Sequence, residues 1–176
     1  MKTYISTLRG INVGGRNRVS MNDLKELYTS IGLDPRTYVQ SGNVVFKSEI
    51  AVNSRLENII SKKIKQSLKM DVAVIIRSNG EMNDVVKNTP FSKKDPMKLH
   101  VTFLSEKPDK VPIGDIQKAK AKNEEFSFAE KEIYLFCPNG YGMTKLSNNF
   151  FEKRLGVRTT TRNWNTVNAL LSMSQE

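Results

Sequence analysis

Arg9-Gly10-Ile11-Asn12-Val13-Gly14-Gly15-Arg16-Asn17-Arg18 gathers three glycines, three arginines and two asparagines in one stretch. Glycine lets the backbone turn so that successive N–H groups face one way and cradle an anion. Arginine grips phosphate or carboxylate through two parallel hydrogen bonds. The chemistry on offer is anion binding. The alternative is a glycine-rich strand-to-helix connection whose arginines pair with acidic neighbours. Gly10, Gly14 and Gly15 are spaced for neither the P-loop nor the dinucleotide fingerprint, and no Gly-Lys-Ser/Thr follows them.

Two further segments hold similar chemistry. Tyr141-Gly142-Met143-Thr144-Lys145-Leu146-Ser147-Asn148-Asn149 is a glycine loop running into a helix, with Lys145 and Asn148 at its start. It suits an anion, or equally a capped helix entry with a solvated lysine. Arg158 and Thr159-Thr160-Thr161-Arg162-Asn163-Trp164-Asn165-Thr166 are dense in donors and acceptors. There the threonines are read as caps of a last helix, and Trp164 as core with Val167 and Leu171. Lys62, Lys65 and Lys69 fall at helical spacing and form a basic stripe, read as a solvated face.

His100 is the sole histidine and so has no second His for a metal site. It is the candidate general acid or base, with a structural role as the preferred reading. Cys137 is the only cysteine, which excludes an intrachain disulfide and a Cys-based metal cluster. No acidic cluster suggests a divalent metal, and neither metal nor cofactor is expected.

The elements that must position these groups can be read from periodicity. The chain has 176 residues, 38% of them hydrophobic, and carries a formal charge of +10. Residues 1–80 hold 13 Lys+Arg against 6 Asp+Glu, and residues 81–176 hold 15 against 12, so the excess lies mainly in the first half. Such a balance favours nucleic acid, anionic lipid or phosphorylated small molecules, or serves only solubility. The start Met1-Lys2-Thr3-Tyr4 lacks the apolar run of a signal peptide, and the longest apolar stretch, Val72 to Ile76, is too short to span a bilayer. A cytoplasmic protein without membrane contact is expected; the oligomeric state is left open.

Thr3 to Arg9 reads as a strand. Ser20-Met21-Asn22-Asp23 is a capping-box signature ahead of a helix with Leu24, Leu27, Tyr28 and Ile31 on one face, stopped by Gly32. Arg36–Gln40 and Asn43–Lys47 read as strands about a tight Ser41-Gly42 hairpin. Asn53 is read as the cap of a second helix, and Val72–Arg77 as a fourth strand. The order is βαββαβ, the ferredoxin-like unit. The apolar run through Ile76 requires that both faces of this sheet be covered. The second half repeats the order as βαββα plus an extra helix. The expectation is an α+β fold of two ferredoxin-like subdomains with antiparallel sheets, packed together: 1–80, a linking helix and loop at 81–96, and 97–176. In the first unit the first and third strands are read as parallel. That would separate the arginine loop from Ser41-Gly42 and leave the segment from Lys145 to Arg162 as its partner across a subdomain interface.

With Arg9 to Gly15, Gln40-Ser41-Gly42-Asn43-Val44 and Thr160 to Thr166 all in place, the chain resembles a bacterial family, domain of unknown function 1697. His100-Val101 and Asn139-Gly140-Tyr141-Gly142, followed by Thr144 to Asn148, extend the resemblance over nearly the whole chain. It implies two ferredoxin-like subdomains and supplies no activity.

Three functions fit. In the first, Arg9, Arg16, Arg18, Lys145, Arg158 and Arg162 hold nucleic-acid phosphates, Gly14 and Gly15 shape the loop, and Asn12, Asn163 and Asn165 bond sugar or base edges. Tyr4 and Phe46 are poor substitutes for the paired aromatics of an RNA-recognition sheet. In the second, the same cations stabilise charge developing on a phosphorylated or carboxylated metabolite, with His100 as acid or base. In the third, a basic face meets an acidic protein partner.

Overall fold

The computed structural model describes Met1–Glu176 and divides into two units, Met1–Asp84 with Ala169–Glu176, and Val85–Asn168. Each is a four-stranded antiparallel sheet flanked by helices. This is an α+β architecture of two ferredoxin-like subdomains.

The first unit runs β1 (Lys2–Leu8), α1 (Met21–Thr29), β2 (Arg36–Thr37), β3 (Asn43–Ser48), α2 (Asn53–Leu68), β4 (Val74–Ser78) and the start of α3 (Asn79–Lys87), with strand order β2-β3-β1-β4. Ser20 caps α1, its hydroxyl accepting the Asp23 N–H at 3.0 Å. The helix then buries Leu24, Leu27 and Tyr28. Leu56, Ile60 and Ile64 of α2 join Tyr4, Leu8, Val44, Phe46, Val74 and Ile76 in one core, where Tyr4 stacks on Phe46. Asn53 is not the cap expected of it: Val52 occupies that position, and the Asn53 amide donates to the Ile76 carbonyl and the Glu81 carboxylate. The other sheet face is buried too, at Ile5, Val45, Ile75 and Arg77, which accounts for the unbroken apolar run. The chain's last residues belong to this unit: Arg36 donates to the Met173 carbonyl and pairs with Glu176, and Asn79 donates to the Ser174 hydroxyl.

The second unit contains β5 (Leu99–Leu104), α4 (Ile113–Ala119), β6 (Glu125–Phe128), β7 (Glu132–Phe136), α5 (Asn148–Leu155) and β8 (Thr159–Asn163), with order β6-β7-β5-β8; α6 (Trp164–Gln175) begins in it. β8 corrects the sequence reading. The threonine run is a strand rather than a helix cap, as its β-branched side chains favour, and it completes the βαββαβ order. Only Asn163 caps, its side-chain oxygen accepting the Thr166 N–H at 2.8 Å. Both sheets share one register: Ile5 faces Val45 and Arg77 as Val101 faces Tyr134 and Arg162.

The pairing overturns one expectation that matters for the site. β1 and β3 are antiparallel, Thr7 opposite Asn43. The helical crossover makes β1 and β2 the parallel pair, and β3 returns between them. The C-terminal end of β1 therefore meets the N-terminal end of β3, so the arginine loop and Ser41-Gly42 lie at the same end of the sheet.

Candidate functional site: the arginine loop and the Gln40 turn

The connection from β1 to α1 folds into a small hairpin. The Asn12 N–H donates to the Asn17 carbonyl at 3.1 Å and the Arg16 N–H to the Val13 carbonyl at 3.0 Å. Gly14 and Gly15 form the tip with φ of 59° and 75°. Two successive left-handed residues are what a tight hairpin turn needs and what glycine supplies without strain. The glycines thus serve first to turn the chain. Arg16 and Arg18 are exposed on this hairpin, and the Arg18 guanidinium passes close to Gly15. Arg9 is half-buried at the loop's root, its N–H on the Ala73 carbonyl.

Asn12 ties the loop down. Its amide donates to the carbonyls of Val19 (2.9 Å) and Gln40 (3.1 Å), and its side-chain oxygen accepts the Val19 N–H at 2.8 Å. Both amide hydrogens are therefore engaged on backbone, which gives Asn12 a positioning role. The contact to Gln40 joins the loop to the β2–β3 connection. That connection is clipped by Asn43, whose amide donates to the Tyr38 carbonyl (3.1 Å) and the Ser41 hydroxyl (2.8 Å). Gly42 is buried against the loop: a Cβ there would lie 2.9 Å from Leu8 Cβ and 3.1 Å from Ile11 Cβ, and its carbonyl accepts the Leu8 N–H at 2.8 Å.

Where the segments meet, Asn12, Gly15, Arg18, Val19, Ser20 and Gln40 line an open cavity of about 430 Å³. Arg18 is its one charged lining residue, and no carboxylate faces it. Gln40 and Ser20 were not among the residues singled out from sequence. The sequence signal for Gln40 is the Gln40-Ser41-Gly42-Asn43 motif, which a parallel arrangement of β1 and β3 would place at the other end of the sheet and the antiparallel pairing brings to the loop.

The other candidate residues lie in the second unit. Lys145, Asn163 and Asn165 are exposed. Arg158 and Asn163 sit at opposite ends of β8, so no single pocket of this unit joins them. Arg162 points to the other sheet face from its neighbours and is half-buried, donating to the Thr160 hydroxyl and the Thr161 carbonyl. Burial lowers its pKa to about 10, against the opposing influence of Tyr141, so it remains a cation at neutral pH. Trp164 is half-buried rather than core, whereas Val167 and Leu171 are each buried.

Asn148 and His100 belong to a polar cluster on the helix side of this sheet. The Asn148 side-chain oxygen accepts both the Thr159 and Thr161 hydroxyls at 2.9 Å. The Thr161 hydroxyl also meets Thr102 (2.8 Å) and Tyr141 (3.1 Å). The His100 ring stacks on Tyr141 with centroids 4.9 Å apart, and its Nδ1 is buried with no hydrogen-bond partner. Burial lowers the His100 pKa. The Lys98 backbone works the other way but is the smaller influence, so burial prevails. A neutral, stacked imidazole next to a closed hydroxyl network is a structural arrangement more than a catalytic one. Burial, with the Glu124 charge, pushes the Cys137 thiol up to about 12, far from the thiolate a nucleophile requires. No group of three or more His, Cys, Asp or Glu is placed to hold a metal, and no helix is long and apolar enough to cross a membrane.

The solved structure of conserved bacterial protein SP0830 from Streptococcus pneumoniae is similar to the chain, with a TM-score of 0.74 and 23% sequence identity over 98% of each chain. At that identity the likeness shows the fold. No curated protein matches. Residues 1–134 match the family model described as Protein of unknown function (DUF1697), and with more than half its length inside that match the chain belongs to this family.

Proposed function

We propose that the protein binds anionic ligands, nucleic-acid phosphates foremost, at the arginine loop of the first unit. The observation that supports this reading best is the cavity at the sheet end, where Arg18 stands without a carboxylate among the lining residues and Arg16 projects from the same hairpin. An arginine held next to a polar depression, with no acid to neutralise it, favours an incoming anion. The +10 net charge would assist encounter with a polyanion. Arg158 and Arg162, on the second unit, would contribute as a separate contact.

Fluorescence anisotropy with single-stranded and duplex DNA and RNA tests this. Affinity should fall steeply between about 50 and 200 mM salt. Arg18→Ala should weaken binding across sequences and reduce the salt slope by about one. Binding indifferent to salt and to Arg16→Ala/Arg18→Ala would refute the assignment. A cavity of 430 Å³ is also of the size that holds a small ligand. Binding of a phosphorylated metabolite with no binding of oligonucleotides would favour that second reading.

A further inference from the structure

The first unit holds a second cavity, of about 250 Å³, at the other end of β1 from the arginine loop. Strand alternation places Thr3, Val45 and Lys47 on the sheet face opposite that of Tyr4 and Phe46, whose rings belong to the helix-packed core, and pairs Thr3 with Lys47 and Val45 with Arg36. These residues line the cavity together with Asp34 and Glu176. Four of its lining side chains are charged, two acids and two cations. Arg36 and Glu176 neutralise each other as an ion pair, and Arg36 also donates to the Met173 carbonyl. Asp34 and Lys47 are exposed, and neither side chain has an ion-pair or hydrogen-bond partner in the protein. The Thr3 hydroxyl is likewise without a partner. The cavity thus offers one unpaired carboxylate and one unpaired ammonium and carries no net charge, in contrast to the cavity at the loop, where Arg18 is the one charged group. A simple anion drawn to Lys47 meets repulsion from Asp34, and a simple cation drawn to Asp34 meets repulsion from Lys47. A molecule carrying both charges satisfies both groups. The volume lies below the range of about 300–1,000 Å³ that drug-sized ligands fill, and suits a single amino acid rather than a nucleotide.

We infer that this cavity takes a small zwitterion of the free amino-acid class, its ammonium on Asp34 and its carboxylate on Lys47 and the Thr3 hydroxyl. The site uses no residue of the arginine loop, so it stands apart from the anion-binding reading above.

NMR chemical-shift titration of the isotope-labelled protein tests it, with glycine, alanine, serine and leucine, each beside its N-acetyl and its amide derivative. The free amino acids should shift the backbone amides of Thr3, Asp34 and Lys47 and leave those of Gly14 to Arg18 unmoved. N-acetylation removes the ammonium and amidation the carboxylate, and each should weaken binding on the order of tenfold, the worth of one hydrogen bond to a charged group. Asp34→Asn should bring the free amino acid down to the level its N-acetyl derivative has on wild type, and Lys47→Gln should bring it down to the level of the amide. Both residues are exposed, so these variants retain the fold; circular dichroism and the melting temperature verify this. Arg18→Ala should leave amino-acid binding unchanged, so the failure of either site is read independently of the other. Derivatives that bind as tightly as their parent amino acids, affinities that survive both Asp34→Asn and Lys47→Gln, or no shift at Thr3, Asp34 and Lys47 with any of the four amino acids at millimolar concentration would overturn the inference.

Discussion

Replacing Gly42 by alanine tests whether the arginine loop and the Gln40 turn form one packed body. Two costs are legible in the geometry. The residue has φ of 68°, and holding an L-residue other than glycine there costs roughly 1–2 kcal/mol. The new Cβ would also lie 2.9 Å from Leu8 Cβ, 3.1 Å from Ile11 Cβ and 3.2 Å from Ile11 Cγ1. Leu8 and Ile11 are each 1% exposed, so neither can swing into solvent, and overpacking of this kind costs roughly 1–3 kcal/mol. The expected destabilisation is about 2–5 kcal/mol. Gly14→Ala is the internal control. Its φ of 59° imposes the same backbone cost, yet nothing lies within 4 Å of its Cβ, so about 1–2 kcal/mol is expected. Urea unfolding of the two variants at unchanged m-value measures the difference, which is the packing term alone. Anisotropy with a labelled oligonucleotide should also weaken for Gly42→Ala through displacement of Arg18 and Gln40. If the two variants lose stability to within about 0.5 kcal/mol of each other, the contact between the segments is not as drawn, and the shared cavity loses its foundation.

Asn12→Ala removes three hydrogen bonds and places alanine at a φ of 56°, so a loss of about 3 kcal/mol is expected in urea unfolding. Ligand affinity should fall with it, because the loop loses its ties to Val19 and Gln40. Thr161→Val keeps the shape of the strand but leaves Thr102, Tyr141 and Asn148 without a shared hydroxyl, which should cost about 1–3 kcal/mol by the same measurement. His100 predicts a pH dependence. Its folded pKa lies below the ordinary value of 6.5, so the unfolded chain binds the proton more readily. Its contribution to stability is complete above pH 6.5 and is lost as pH falls from there toward the depressed folded value. Unfolding midpoints from pH 7 to 5 should decline less in His100→Gln than in wild type, and equal slopes would refute the buried neutral imidazole.

The frame was largely legible from periodicity because burial enforces it. Leu24, Leu27 and Tyr28 at helical spacing found the α1 core face, and Gly156 with its φ of 69° closes α5 where the pattern stops. Two misreadings share one cause, which is that polar side chains can be satisfied in more than one way. Asn53 has the residue type of a cap but bonds across to Ile76 and Glu81. Thr159 to Asn163 has the polarity of a loop but is a strand, because hydroxyls from Thr102, Tyr141 and Asn148's carbonyl meet its own. The site was legible in its residues but not in its assembly. Arg18 offers an anion contact by its type and Asn12 reads from sequence as a sugar or base contact, although its amide holds the loop in place; the meeting with Gln40 depends on strand direction, which no local pattern encodes.

The two units provide their own comparison. They share strand order and register, yet their first strand-to-helix connections differ in kind. The segment from Ser105 to Pro112 carries Glu106, Lys107, Asp109 and Lys110, without glycine or arginine, and Lys107 pairs with Glu130 in the open. It links strand to helix without a left-handed residue. The first unit places Gly10, Asn12, Gly14, Gly15, Asn17, Val39 and Gly42 at positive φ about one end of its sheet. Val39, at 48°, is a β-branched residue in a region that costs about 1–3 kcal/mol. The plainer loop shows that the frame does not require these conformations. Strain of this kind persists where surrounding structure holds it for a purpose, and here Asn12, Asn43 and Gly42 hold it around the cavity lined by Arg18 and Gln40. Function in this family is therefore to be sought in what is grafted onto the repeated frame rather than in the frame, and Val39→Asn gives that claim a readout. Asparagine tolerates the left-handed region, so the substitution should raise the unfolding midpoint while lowering affinity at the cavity that the neighbouring Gln40 lines; a variant that gains stability with binding intact would show the strain to be incidental.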